Sequence, residues 1–392
     1  MKRSVIVSAK RTPMGRFMGS LSKMPAPRLG AEVAKVVLAE TKALDGGVDE
    51  VIVGQVLQAA VGQNPARQVA LGAGVPDSIN AWTVNKVCGS SLESVMQANR
   101  AIRCGDAKVV LAGGIESMSM APFYVSARAR SGMKFGAFEV LDGMQYDGLT
   151  CPFEKWLMGC AADLIAEQRQ VSREDQDRFA MESHRKTAAA WQAGNFKAEV
   201  VPIEVPRKGP FNQDETYREQ VSLEDMAKLK PVFTKGGTVT AGNASQISDG
   251  AGMVLVAEAE EAKRRGWKPL VEILSQATHG VAPKELFIAP VEATRKAVDG
   301  AGLSLSDIDL FELNEAFAAQ SLACSRALEL KDDDERVNVN GGAIALGHPI
   351  GASGTRVLVT LIHAMMKRNK EHGVACLCLG GGNAVAMVVR RV

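Results

Sequence analysis

Seven cysteines and five histidines are spread through the 392 residues, and three of these side chains sit where the chain turns sharply. Cys88 lies in "NKVCGSSLES", Cys378 in "VACLCLGGG" and His348 in "GGAIALGHPIGASG". At Cys88 a strand ends and a helix starts within two or three residues. Leu92, Val95, Met96 and Ile102 recur at helical spacing as its buried stripe, and Ser90 or Ser91 can cap it. A thiol at a helix N-terminus faces unpaired N–H groups and the positive end of the dipole, which lower its pKa toward the reactive range. The same position suits a small buried apolar residue, and position alone leaves the two readings level.

Cys378 and Cys376 share one face of a strand, with Leu377 and Leu379 on the other. Cys378 is two residues from Gly380, at the carboxyl end of the strand, where open α/β sheets build their sites. The run Gly380 to Gly382 lets backbone N–H groups approach a substrate oxygen. Cys376 is deeper and reads as core; Cys104, Cys151, Cys160 and Cys324 read as packing. Gly347 and Pro349 hold His348 on a tight loop beside a helix start, where the dipole disfavours the imidazolium. A neutral imidazole can take a thiol proton, and a hydrogen-bonded loop histidine is the plainer alternative. Asn314, in "FELNEAFAAQ", stands between a strand and a helix, where an ordinary N-cap belongs.

The elements that must position these groups repeat. "RSVIVSAKRTPMG" matches "KPLVEILSQATHG", and "VDEVIVGQVLQAA" matches "IDLFELNEAFAAQ". The segment from Val84 to Gly114 matches that from Val337 to Gly382: a glycine- or serine-rich turn, an amphipathic helix, and a buried strand ending in glycines. This order predicts two similar α/β units on a largely parallel sheet. In the second unit the last strand turns straight back in a hairpin across Gly382 and Asn383. In the first, about 130 residues intervene between "VVLAGG" and "DGAGMVLVAEA", so Ile115 to about Ser248 reads as an insertion in a hairpin loop. The insertion carries a helix capped by Ser172 and stopped at Gly194, with Ala180, His184, Ala188 and Trp191 on one face. If the units pair about a pseudo-two-fold axis, the Cys88 and His348 loops meet in one cleft.

Composition sets outer bounds. The chain is 46% hydrophobic and 23% charged with a formal net charge of +2, which argues against general nucleic-acid binding. Arg100, Arg103, Lys108, Arg128, Arg130 and Lys134 form a basic run, read either as a solvated face or as the mouth for an anionic substrate. The N-terminus lacks the apolar core of a secretory signal, no segment has the length of a membrane span, and "VVRRV" is not a peroxisomal address. The expectation is a cytoplasmic protein with reduced thiols and no membrane partner.

Together, "NKVCGSSLES", "GGIESMS", "VTAGNASQISDGAG", "NEAFAAQ", "NVNGGAIALGHPIGASG" and "CLCLGGGNA" resemble the thiolases, the acetyl-CoA acetyltransferase and 3-ketoacyl-CoA thiolase family, over essentially the whole chain. The resemblance implies the duplicated thiolase fold, layered α-β-α-β-α. Its halves would be 1–118 plus 249–266 and 267–392, and 119–248 an inserted loop domain for CoA and acyl binding. It implies thiolytic cleavage of 3-ketoacyl-CoA, or the reverse condensation, with CoA as substrate and no metal or other cofactor. By the same resemblance Cys88 is the acyl-accepting nucleophile, His348 its base and Cys378 the second acid/base. Asn314 and His348 would serve one oxyanion hole, and the Cys88 and Gly380 N–H groups the other. Arg218 would contact the adenine end of CoA, Ser245 the pantetheine and Met158 the acyl group. A homodimer or homotetramer is implied, with "SARARSGMKFGAFEVLDG" similar to the tetramer-contact loop.

Two positions depart from the family pattern. Leu157 replaces the histidine common in members acting on acetoacetyl-CoA, which allows a longer or branched acyl group, and Ala384 replaces a glycine. Three rivals are weighed: a decarboxylating ketoacyl synthase, from which Cys378 discriminates; a Zn²⁺ site made by Cys88, His348 and Cys378; and a non-catalytic acyl-CoA or lipid carrier.

Overall fold

The computed structural model describes residues 2–125 and 127–392; Ser126 and the side chain of Arg128 lie outside the described residues. Its main sheet runs in the order Asn80–Val84, Glu50–Gly54, Val109–Ser117, Ser248–Glu258, Ser4–Arg11, Val271–Gly280, Asn383–Arg391, His372–Leu379, Leu310–Leu313. The order is the same read from either side of the centre, where Val5 pairs with Glu272 and Ile6 with Val271. The match extends to the margins. Glu50–Gly54 lies parallel to Asn80–Val84, and in the second half Phe311 makes a parallel bridge to Val337.

The expectation of a largely parallel sheet is corrected. Only the outer strands of each half pair in parallel; the central ones pair antiparallel. The cause is the hairpin. His372–Leu379 and Asn383–Arg391 are joined by only Gly380, Gly381 and Gly382, with φ of 82° and 88° at the last two, and so short a link permits no crossover. The turn thus precedes Asn383, which already pairs with Leu379. In the first half Val109–Ser117 and Ser248–Glu258 pair in the same sense with the insertion between them.

The strands read as continuous apolar runs because both faces are covered. Val109 and Leu111 face an outer core with Leu29, Val33 and Val37 of helix Ala26–Thr41. Val110 and Ala112 face a central core with Leu92, Val95 and Met96 of helix Ser90–Cys104 and Val357, Leu358 and Leu361 of helix Ser353–Arg368. Beyond the second half's sheet, Cys376 and Val374 pack on helices Ala289–Gly300 and Ala318–Ala327, while Leu377 returns to the central core. Helix, sheet, helix pair, sheet and helix follow in that order. The central pair brings the turns before Ser90 and before Ser353 to the same end of the sheet.

The insertion holds helices Met158–Gln168 and Arg173–Gln192 and a small hairpin, Phe123–Val125 with Val140–Asp142. Ser172 Oγ accepts the Asp175 N–H at 3.0 Å, so the expected cap is present. Ala180, His184 and Ala188 are buried as expected, with Trp191 only partly so. Cys104 is exposed, not packed: it ends its helix at the surface.

Candidate active site

Cys88 follows a strained turn. Val87, a β-branched residue, has φ of 49° and is held by Asn85 Oδ1, which accepts its N–H at 3.0 Å. The helix cap is Gly89; neither Ser90 nor Ser91 fills that place. Ser90 Oγ is occupied instead within the turn, accepting from the Lys86 N–H at 2.8 Å and donating to the Val87 carbonyl at 2.6 Å. Ser91 Oγ accepts the Thr355 N–H at 2.8 Å, which ties the two central helix starts together.

At Cys88 the helix terminus competes with burial. Burial pushes its thiol up to about 11, against the pull of the Gly380 and Cys88 N–H groups, and nearby Glu116 adds to the rise. The helix terminus is present, but removal from water outweighs it. Glu116 itself accepts N–H bonds from Val56, Leu57 and Gly351 at 3.1, 3.3 and 2.9 Å. Burial still raises it to about 7. It clamps the turn after Glu50–Gly54 to the His348 loop. The sequence offers one signal for it, a lone acid ending the apolar strand Val109–Ser117.

His348 is buried, and its N–H donates to the Gln246 carbonyl at 2.9 Å. Its Nδ1 is 2.5 Å from Ser353 Oγ, and that hydroxyl donates to the Pro349 carbonyl at 2.9 Å. A hydroxyl has one proton, so Nδ1 is the donor of this pair and Nε2 keeps its lone pair. Gly347 shapes the approach: φ is 101°, and a Cβ there would stand 2.2 Å from Ser248 Oγ. Burial lowers the imidazole to about 3, with the Arg356 charge adding to the effect. Burial, ahead of charge, thus favours the neutral form.

Cys378 is buried at the end of its strand, and burial, then the neighbouring Cys88, raise its thiol well above the ordinary range. Cys88, His348, Cys378 and Gly380 all line one cavity of about 580 Å³. The rest of its lining is mainly apolar, including Met118, Met144, Leu157, Leu286, Phe287 and Phe317. Met158 and Ser245 line it too.

The other expected residues divide. Asn314 does not cap a helix, because the next one begins only at Ala318 with Phe317 as N-cap. Its side-chain oxygen and nitrogen are buried without a protein partner. Arg218 is exposed and does not line the cavity. It is linked to the wall through Glu215, which accepts the Arg16 N–H at 3.1 Å. Among the described residues none of the basic run lines the cavity, and Arg100 pairs with Glu93 at 2.7 Å. Among the described residues the cation in the wall is Arg16, beside Phe17, both hidden in the sequence because a two-residue strand, Gly15–Arg16, places them. Among the described residues no three His, Cys, Asp or Glu side chains come together as a metal-ligand set. Among them, too, no helix is long and apolar enough to cross a membrane.

Comparison with known proteins agrees with this geometry. Residues 4–260 match the family model of the thiolase N-terminal domain and residues 267–391 that of the thiolase C-terminal domain. The chain is 53% identical to an acetyl-CoA acetyltransferase of Pseudomonas aeruginosa and 50% identical to one of Escherichia coli, each covering 100% of both chains. The crystal structure of the Bacillus anthracis acetyl-CoA acetyltransferase superposes with a TM-score of 0.97 at 39% identity, covering 100% of this chain and 99% of that one. With two thiols, a neutral imidazole and a backbone N–H group converging between duplicated halves, the chain belongs to the thiolase family.

Proposed function

We propose that this thiolase cleaves 3-ketoacyl-CoA with CoA, or runs the reverse condensation, through an acyl group on Cys88. The observation that carries this is the convergence of Cys88, His348, Cys378 and Gly380 on one largely apolar cavity. His348 Nε2 takes the Cys88 proton as the sulfur attacks the 3-keto carbon. The bond between C2 and C3 breaks, and Cys378 gives its proton to C2 of the departing acetyl-CoA. The second half-reaction restores both groups: the Cys378 thiolate takes the proton of the incoming CoA thiol, and His348 returns one to Cys88 as the acyl group leaves. A thiolate suits this chemistry, being both a soft nucleophile and a good leaving group.

Charge develops on two oxygens. The Cys88 and Gly380 N–H groups, which already point at the Cys88 sulfur, suit the acyl oxygen. The Asn314 amide, buried with no protein partner, can hold a water that with His348 serves the enolate oxygen. CoA is then a substrate, and the chemistry needs no metal or other cofactor. The decarboxylating synthase has no use for a second thiol facing Cys88, and a passive carrier none for a base with its tautomer fixed.

Acyl-CoA incubation followed by peptide mapping tests the reading: the acyl group is expected on Cys88 alone, and a label on Cys378 would reverse the two roles. For chain length, Leu157 puts an alkyl group in the wall, which favours longer or branched acyl groups over acetoacetyl. Steady-state comparison of acetoacetyl-CoA with longer 3-ketoacyl-CoA substrates decides it. The hairpin around residues 123–142 exposes Phe135, Phe138 and Val140, in keeping with a homo-oligomer, dimer or tetramer. A cytoplasmic setting fits the free thiols.

A further inference from the structure

Residues 214–218 form a strap in which nearly every residue is tied to a different element. Asp214 accepts from Arg11 Nη1 and Nη2 at 2.7 and 3.0 Å and from the Met14 N–H at 2.7 Å. Glu215 accepts from the N–H groups of Arg16 and Ser20 at 3.1 and 3.0 Å. The Thr216 hydroxyl donates to the carbonyl of Ala345, three residues before His348. At the end of the strap the Arg218 N–H donates to His184 Nδ1 at 3.1 Å.

His184 belongs to helix Arg173–Gln192, and its neighbours on that helix hold the other side of the site. Ser183 Oγ donates to Glu315 at 2.6 Å and accepts the Gly342 N–H at 3.1 Å. Thr187 Oγ1 donates to the Asn340 carbonyl at 3.2 Å. One helix thus fixes both the approach to His348 and the backbone at Arg218. His184 is 5% exposed, and burial, then the Arg218 charge, lower its pKa to about 4, so the ring is neutral at pH 7; accepting the Arg218 N–H makes Nδ1 the nitrogen with the lone pair.

We propose that His184 is a positioning residue for the nucleotide end of CoA: its Nδ1 sets the backbone from which Arg218 reaches the ligand. The inference rests on the reading that Arg218 contacts the adenine end. The bond lies outside the cavity that holds the reacting atoms, so its loss is expected in KM for CoA more than in kcat.

The test compares two acceptor thiols, CoA and pantetheine, which share the reactive arm and differ in the nucleotide. His184→Leu removes the acceptor, and His184→Asn shortens it while staying polar, should the leucine variant fold poorly. For either, KM for CoA is expected to rise about three- to tenfold, the effect of one lost hydrogen bond, with KM for pantetheine unmoved. His184→Gln, whose Oε1 can accept the same N–H, should restore most of the CoA affinity. An equal rise for both thiols, or none for CoA, would overturn the proposal. Arg218→Ala tests the underlying reading separately. An unchanged KM for CoA there removes Arg218 as the contact, whereas a CoA-selective rise in the His184 variants still upholds the histidine's role.

Discussion

His348 and Ser353 form a hydrogen bond whose direction is set from outside the pair: Ser353 already spends its proton on the Pro349 carbonyl, so His348 must donate from Nδ1. Ser353→Ala removes the fixing contact and lets both tautomers populate. The acylation rate of Cys88 should fall on the order of tenfold, the worth of one buried hydrogen bond near the upper end of its range. Ser353→Thr, which keeps a hydroxyl, should lose little. Single-turnover acylation measures both, and an unaffected alanine variant would show that the tautomer is fixed elsewhere.

The resting pair of Cys88 and His348 is uncharged. A thiol at about 11 and an imidazole at about 3 lining the same cavity do not form a standing ion pair, so the proton moves with the attack rather than before it. Alkylation of Cys88 by iodoacetamide in the substrate-free enzyme should therefore keep accelerating as pH rises above 9. A rate that levels off near neutrality would reveal a stored thiolate.

Cys378→Ala separates the two thiols. It should still form an acyl-enzyme at Cys88, because His348 can take that proton alone. It should exchange the α-proton of acetyl-CoA with solvent about a hundredfold or more too slowly, the usual loss on removing a general acid/base. His348→Ala should lose both partial reactions. Overall turnover is a poor guide here, since members of a cooperating set are not additive. Full proton exchange in the alanine variant would make Cys378 a packing residue.

Acid should loosen the insertion. The folded state keeps His184 neutral down to about 4, whereas the unfolded chain binds that proton below 6.5. Between those values unfolding takes up a proton, so this side chain costs stability as pH falls through the window. Glu116, raised to about 7 from 4.5, acts with the opposite sign over an overlapping range. The contrast with His184→Gln isolates the histidine: its Tm should decline less between pH 6.5 and 4 than that of the unmodified enzyme. Parallel curves would refute this.

Much of the site was legible because its signals are local. Glycines around His348 and after Cys378, a thiol between strand and helix, and the repeated order of elements each depend on a few adjacent residues. So does the Ser172 cap. What was hidden depends on distant contacts. Arg16 reaches the wall because Gly15 pairs with Asp249 far along the chain. Asn314 has the composition of a cap, yet the helix starts later. Cys88 has the helix terminus expected of an acidic thiol, but Val56, Leu57, Met144 and Ile350 gather into a cluster against it and keep water away. The sense of the sheet is hidden because apolar strands alternating with helices suggest crossovers, while Gly380, Gly381 and Gly382 turn His372–Leu379 straight back onto Asn383–Arg391.

The closing hairpin has a consequence for biosynthesis. Ribosomes deliver Cys88 first and His348 next, and Cys378 and the Gly380 N–H only after both. A polypeptide that stops before this hairpin therefore carries the nucleophile without the Gly380 N–H that serves its acyl oxygen and without the strands that complete the cavity. Ribosome-arrested chains ending before residue 372 should take up no acyl group from acyl-CoA, whereas released full-length protein should.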